Sequence, residues 1–152
     1  MQTIPEIELK QWLNRAFYAD KKAKALEMLV SQCRERAQGL SRSGEGNDTG
    51  KSDGVKNGTE NALMKLAEME KRFERQKVEC VNISDEISKA IEKLHDLDLE
   101  TVLVHRYLLF HTIEQTAEIM NYSPRAVRHK QKKAIEKLCL LLPCFASSDD
   151  VQ

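Results

Sequence analysis

Six basic side chains crowd into residues 121–138: Arg125, Arg128, Lys130, Lys132, Lys133 and Lys137, against the single acid Glu136, for a local net charge of +5. The chain of 152 residues is neutral as a whole, with 24 basic and 24 acidic side chains, so the excess is confined to this segment. Clustered ammonium and guanidinium groups in a neutral protein suit a localised anionic partner. Residues 61–98 lean the other way, with nine acids and seven bases. A charge run on its own is ordinarily a solvated helix face, and the residues just before this one are what lift it above that reading.

Thr112 and Gln115 have the S/T-x-x-E/Q spacing of a capping box, so a helix of about two and a half turns is predicted from Thr112 through Met120. Asn121 follows, a residue that tolerates left-handed backbone angles. Ser123 and Pro124 then mark a second start, a favoured N-cap before a residue pre-set for the first helical position. On the helix from Pro124 to about Leu142, Val127, Ala134, Ile135 and Leu138 share one face, and Arg125, Arg128, His129, Lys132 and Lys133 cover the other. A short capped helix, a three-residue turn and a basic helix are the parts of a helix-turn-helix, whose second helix enters the DNA major groove by its N-terminal residues.

Other chemistry finds little support. His95, His105 and His111 are scattered, and no nucleophile or paired carboxylate accompanies them at a spacing that would make a general base. The four cysteines, Cys33, Cys80, Cys139 and Cys144, form no Cys-x-x-Cys pair, and with His105 and His111 they match no recurrent zinc spacing. They read as free thiols on helix faces. The glycine-rich stretch lacks a G-x-x-x-x-G-K-[ST] pattern and precedes no strand. We therefore expect no enzyme, no catalytic residue, no cofactor and no metal.

The elements that must carry the basic helix are legible in the periodicity. All six glycines, Gly39, Gly44, Gly46, Gly50, Gly54 and Gly58, fall within twenty polar residues, a composition that buries too little to offset its ordering entropy. A flexible linker is predicted at 41–58. Before it, Leu9, Ala16, Ala23, Val30 and Ala37 recur every seven residues, with Trp12, Ala19, Leu26, Cys33 and Leu40 three positions later. After it, Leu66, Phe73, Cys80, Ile87 and Leu94 alternate with Met69, Ile83, Ala90 and Leu97, and Gln76 alone breaks the second seam. These are a/d seams on helices of about 6–38 and 60–97. A linker of this length reaches ~23 Å. That joins neighbouring antiparallel ends, whereas a parallel return must cross a helix of about 50 Å. The expected fold is all-α: an antiparallel coiled-coil hairpin over 1–98, with an intermolecular coiled coil from the same seams as the open alternative, a three-helix helix-turn-helix domain over 99–145 whose first helix runs from Leu99 to Phe110, and a tail at 146–152.

The run Val102-Leu103-x-x-Arg106-Tyr107-Leu108, then Thr112-Ile113-Glu114-Gln115-x-Ala117-Glu118-Ile119-Met120, Ser123-x-x-x-Val127 and Ala134-Ile135-x-x-Leu138 resembles region 4 of sigma-70-type factors. With long N-terminal helices and a glycine-rich gap ahead of it, the chain resembles the phage-encoded, region-4-like transcriptional regulators of the RinA and ArpU kind. Asn121 stands where that region usually has glycine, and Pro124 where an acid is common. The resemblance implies promoter recognition, with Arg125, Arg128, His129 and Lys132 reading the groove, Thr112 and Lys133 holding phosphates, and Ser123 also among the DNA-binding residues. It also implies double-stranded DNA as partner, RNA polymerase as a second one, and the bacterial host cytoplasm as the location. A single small module binds weakly, so a homo-oligomer through the heptad helices is expected. A terminase small subunit-like packaging protein and a helical protein-interaction module are the competing readings. Neither a membrane span nor a signal peptide is expected.

Overall fold

In a computed structural model of the protein, residues 4–43 and 53–142 are described, with side chains described for 5–40 and 58–142. The helices are α1 (Ile4–Leu13), α2 (Arg15–Ser43), α3 (Asp53–Glu92), α4 (Leu97–Leu103) running into a π-helical stretch Val104–Leu108, α5 (Ile113–Met120) and α6 (Pro124–Leu141). No strand occurs among the described residues, and the chain is all-α. The cysteine Cys144 and the tail expected at 146–152 lie outside the described residues.

The chain divides into two compact units, residues 1–18 with 81–152, and residues 19–80. Sequence periodicity placed the division at residue 98 instead. The difference has a packing cause. Leu9, Leu13 and Ala16 from the first helices and Ile87, Ala90, Ile91 and Leu94 from α3 share one buried cluster with Leu99, Leu103, Ala134, Ile135 and Leu138. Three short helices alone bury too little surface to be stable, and the basal heptads complete their core.

Within residues 19–80, α2 and α3 run antiparallel. Gln76 Nε2 donates to the Ala19 carbonyl at 3.1 Å, Arg34 pairs with Glu70 at 3.4 Å, and Leu40 and Gly58 line one shallow cleft further along. The first seam buries Ala19, Val30 and Ala37, while Leu66, Met69 and Phe73 of the second are half-buried. Small residues on α2 let the larger ones on α3 approach, as the heptads predict. Gln76, the polar interruption, is only 5% exposed, and its bond to a main-chain carbonyl relieves the cost of burying an amide.

Two expected boundaries are corrected. The linker assigned to 41–58 is shorter: α2 continues to Ser43 and α3 already begins at Asp53, while residues 44–52 lie outside the described ones. The second long helix stops at Glu92 rather than 97. His95 turns the chain with φ 51°, and Asp96 Oδ1 accepts from the amides of Asp98 and Leu99 at 3.1 and 3.3 Å, starting α4. Leu97, assigned to the seam, is therefore 79% exposed at the head of a new helix.

In the other unit, α1 and α2 are separated only by Asn14, whose amide still donates to the Lys10 carbonyl at 2.9 Å. Arg15 Nε donates to the Trp12 carbonyl at 3.2 Å beside this break. α4 and α6 pack against each other, as do α5 and α6, and α1 lies on α6. A second small cluster, Val102, Ala117 and Val127, locks the helix-turn-helix to α4.

Candidate nucleic-acid interface

The approach to α5 differs from the simple helix expected over Leu99 to Phe110. After Leu103 the chain opens into a π turn, with the Leu109 amide donating five residues back to Val104 at 2.9 Å. Phe110 then takes a left-handed conformation, φ 59°. That reversal allows the His111 amide to reach the His105 carbonyl at 2.8 Å and stacks the two imidazoles with Nδ1 atoms 3.0 Å apart. These two histidines looked scattered in the sequence, and only the turn at Phe110 brings them together. His105 has its pKa lowered, first by burial and then by the charge of His111.

Arg106 braces the same corner. Its Nε donates to Gln131 Oε1 at 3.0 Å and its Nη1 to the His111 carbonyl at 2.6 Å, while Gln131 Nε2 donates to the buried Tyr107 hydroxyl at 3.3 Å. A single guanidinium thus ties the first helix of the trihelical unit to the middle of α6 and to the loop before α5. Sequence reasoning missed both Arg106 and Gln131 in this role, since a glutamine inside a basic run carries no distinctive signal.

The two caps form as the spacing predicts. Thr112 Oγ1 accepts from the Gln115 amide at 3.1 Å, and Gln115 Oε1 accepts from the Thr112 amide at 2.9 Å. Asn121 closes α5 with φ 57°, and Ser123 Oγ accepts from the Ala126 amide at 3.1 Å to open α6. Both cap hydroxyls accept in these bonds, which leaves each proton free to donate outward.

On α6, Val127, Ala134, Ile135 and Leu138 are buried, whereas Arg125, Arg128, His129, Lys132 and Lys133 are exposed. Arg128 and His129 each lie three or four residues from both Arg125 and Lys132, so the four line a single stripe. Lys133 sits about 100° round the helix from Lys132. Glu136 continues the stripe, so its positive part ends within the N-terminal half of α6. Among the described residues, Arg125, Lys132 and Lys133 form no ion pair with an acid, and Arg128 reaches only Glu114, at 3.8 Å with both side chains exposed. Such a surface contact holds a side chain weakly.

Lys130, part of the basic run, faces elsewhere. Its ammonium lies 3.3 Å from Asp98 Oδ2 and 4.8 Å from the Tyr122 ring centroid, fastening the turn to α4. Cys139 is buried in the core, and no group of three or more potential metal ligands occurs among the described residues. No helix among them is long and apolar enough to cross a membrane.

Fold and surface together define an all-helical protein in which a capped helix-turn-helix presents an outward basic stripe. The chain belongs to the DUF1492 family, whose description is protein of unknown function and whose match covers residues 41–139. No curated protein and no solved structure matches it significantly.

Proposed function

We propose that the protein is a sequence-specific DNA-binding transcriptional regulator that inserts the N-terminal half of α6 into the major groove. The observation that carries this reading is the outward stripe of Arg125, Arg128, His129 and Lys132, opened by the Ser123 cap and nearly free of internal acidic partners. Thr112, Ser123 and Lys133 flank the stripe as backbone contacts, through hydroxyl and ammonium donors. The likeness to sigma region 4 and to RinA- and ArpU-like regulators supports promoter DNA as the target and phage or prophage genes in a bacterial cytoplasm as the setting.

One such module is small, and a second copy or RNA polymerase would supply the remaining affinity. The hairpin favours the second copy, since Met28, Leu29, Leu63 and Met64 keep apolar surface exposed on it. Titration of the full chain onto duplex fragments at several salt concentrations tests the proposal. If four phosphates are neutralised, log K against log[salt] falls with a slope of about −3.6. Absence of any salt-sensitive association with duplex DNA refutes the reading.

A further inference from the structure

Beside the basic stripe lies a cleft of about 270 Å³ whose walls come from three helices: Glu6 and Lys10 of α1, Ile113 of α5, and Arg128, Gln131, Lys132 and Ile135 of α6. Its floor is apolar, and its rim holds three cations against one carboxylate. Lys10 comes from sequence more than a hundred residues away from the basic run and lies outside the 41–139 stretch that the family model matches.

We infer that Lys10 is a DNA-backbone contact: α1 lends an ammonium to the flank of α6, where the cleft it shares with the groove-facing Arg128 and Lys132 lets Lys10 take a phosphate of the duplex that the stripe reads. This deepens the proposed DNA reading and rests on it. Two observations carry it. Arg128 and Lys132 belong both to the outward stripe and to the cleft, so the two surfaces are continuous. The one acid, Glu6, sits toward the far end of α6, close enough to Cys139 that, after burial, its charge is the next cause of the raised thiol pKa. Lys10 follows one helical turn later. A compact ammonium serves a phosphate contact without regard to base sequence.

The test compares the full chain with Lys10→Met, which keeps the aliphatic stem, and Lys10→Arg, which keeps the charge. Each is titrated onto a specific duplex and onto an unrelated one over a range of salt, with thermal melts to confirm the fold. Removing one phosphate contact lowers the magnitude of the salt slope by about 0.9 and weakens binding about eightfold at 0.1 M salt. Lys10→Met is expected to do this equally on both duplexes, while Lys10→Arg keeps the wild-type slope. Wild-type binding with an unchanged slope in Lys10→Met overturns the inference and leaves the DNA reading standing. Loss on the specific duplex alone also overturns it, by making Lys10 a reader of bases. If the wild-type chain itself shows no salt-sensitive binding, the DNA reading fails and this contact with it.

Discussion

The Tyr122 hydroxyl donates to Asp98 Oδ2 at 2.9 Å, joining the turn between α5 and α6 to the first turn of α4. Lys130 approaches the same carboxylate oxygen at 3.3 Å and stands over the Tyr122 ring. Helix α6 is thereby fixed by contacts at both the turn before it and its middle, the latter through Arg106 and Gln131.

This contact has a pH signature. The Tyr122 hydroxyl, and after it Lys130, hold the Asp98 carboxyl below its ordinary 3.8, and the carboxylate in turn raises the Tyr122 hydroxyl. A lowered carboxyl pKa contributes stability that is complete above the ordinary value and is lost as pH falls through the lowered one. Tyr122→Phe should therefore melt below wild type at neutral pH, and thermal unfolding followed into the acid range should see that gap close.

The His105 imidazole carries a second pH signature. Burial, then the His111 charge, lowers the pKa of His105 from 6.5, so its folded form disfavours the proton. That contribution is complete above 6.5 and is lost as pH falls through the lowered value. His105→Gln should flatten the dependence of the melting temperature on pH in that window. An undiminished dependence in the variant would exclude this pair as its source.

Three helix ends use left-handed residues other than glycine, His95, Phe110 and Asn121, because every glycine of the chain falls between residues 39 and 58. A residue with a Cβ in this conformation costs roughly 1–2 kcal/mol, less for asparagine. His95→Gly, at an exposed site, should stabilise by about 1 kcal/mol in denaturant unfolding. Phe110→Gly should destabilise instead, since the ring packs edge-on to Phe17 at 5.5 Å.

Leu13, fully buried, belongs to the core of the unit that holds the helix-turn-helix. Leu13→Ala is expected to cost about 2–5 kcal/mol. Hydrogen exchange should show protection lost in α6, although the two helices stand at opposite ends of the sequence.

Within the basic stripe, Arg128→Ala should cost about 1–3 kcal/mol on a specific duplex if the guanidinium reads a guanine. Competition binding against unrelated duplexes checks this, and an equal loss on every sequence would make Arg128 a phosphate contact. Its exposed approach to Glu114 adds little to fold stability, so the melting temperature should hardly move.

Much of the fold was legible because it is written in short-range chemistry. Heptad spacing identified the seams of α2 and α3, and the pairs Thr112 with Gln115 and Ser123 with Pro124 marked the starts of α5 and α6, since caps depend on residues three apart or fewer. The outward face of α6 followed from helical periodicity alone. The division of the chain was not legible, because nothing local tells Leu9 and Leu13 that their partners are Ile135 and Leu138.

The amino-acid sequence by itself determined an all-helical chain, its two heptad seams and the basic stripe, all of which follow from periodicity, capping and charge within a few turns of helix. Tertiary structure alone decided that α1 completes the core beneath α6, that His105 meets His111, that Lys130 turns inward to Asp98, and that Lys10 stands beside Arg128 and Lys132. Those relations depend on a π turn and a left-handed Phe110, and on the need of three short helices to borrow apolar surface from the far end of the chain.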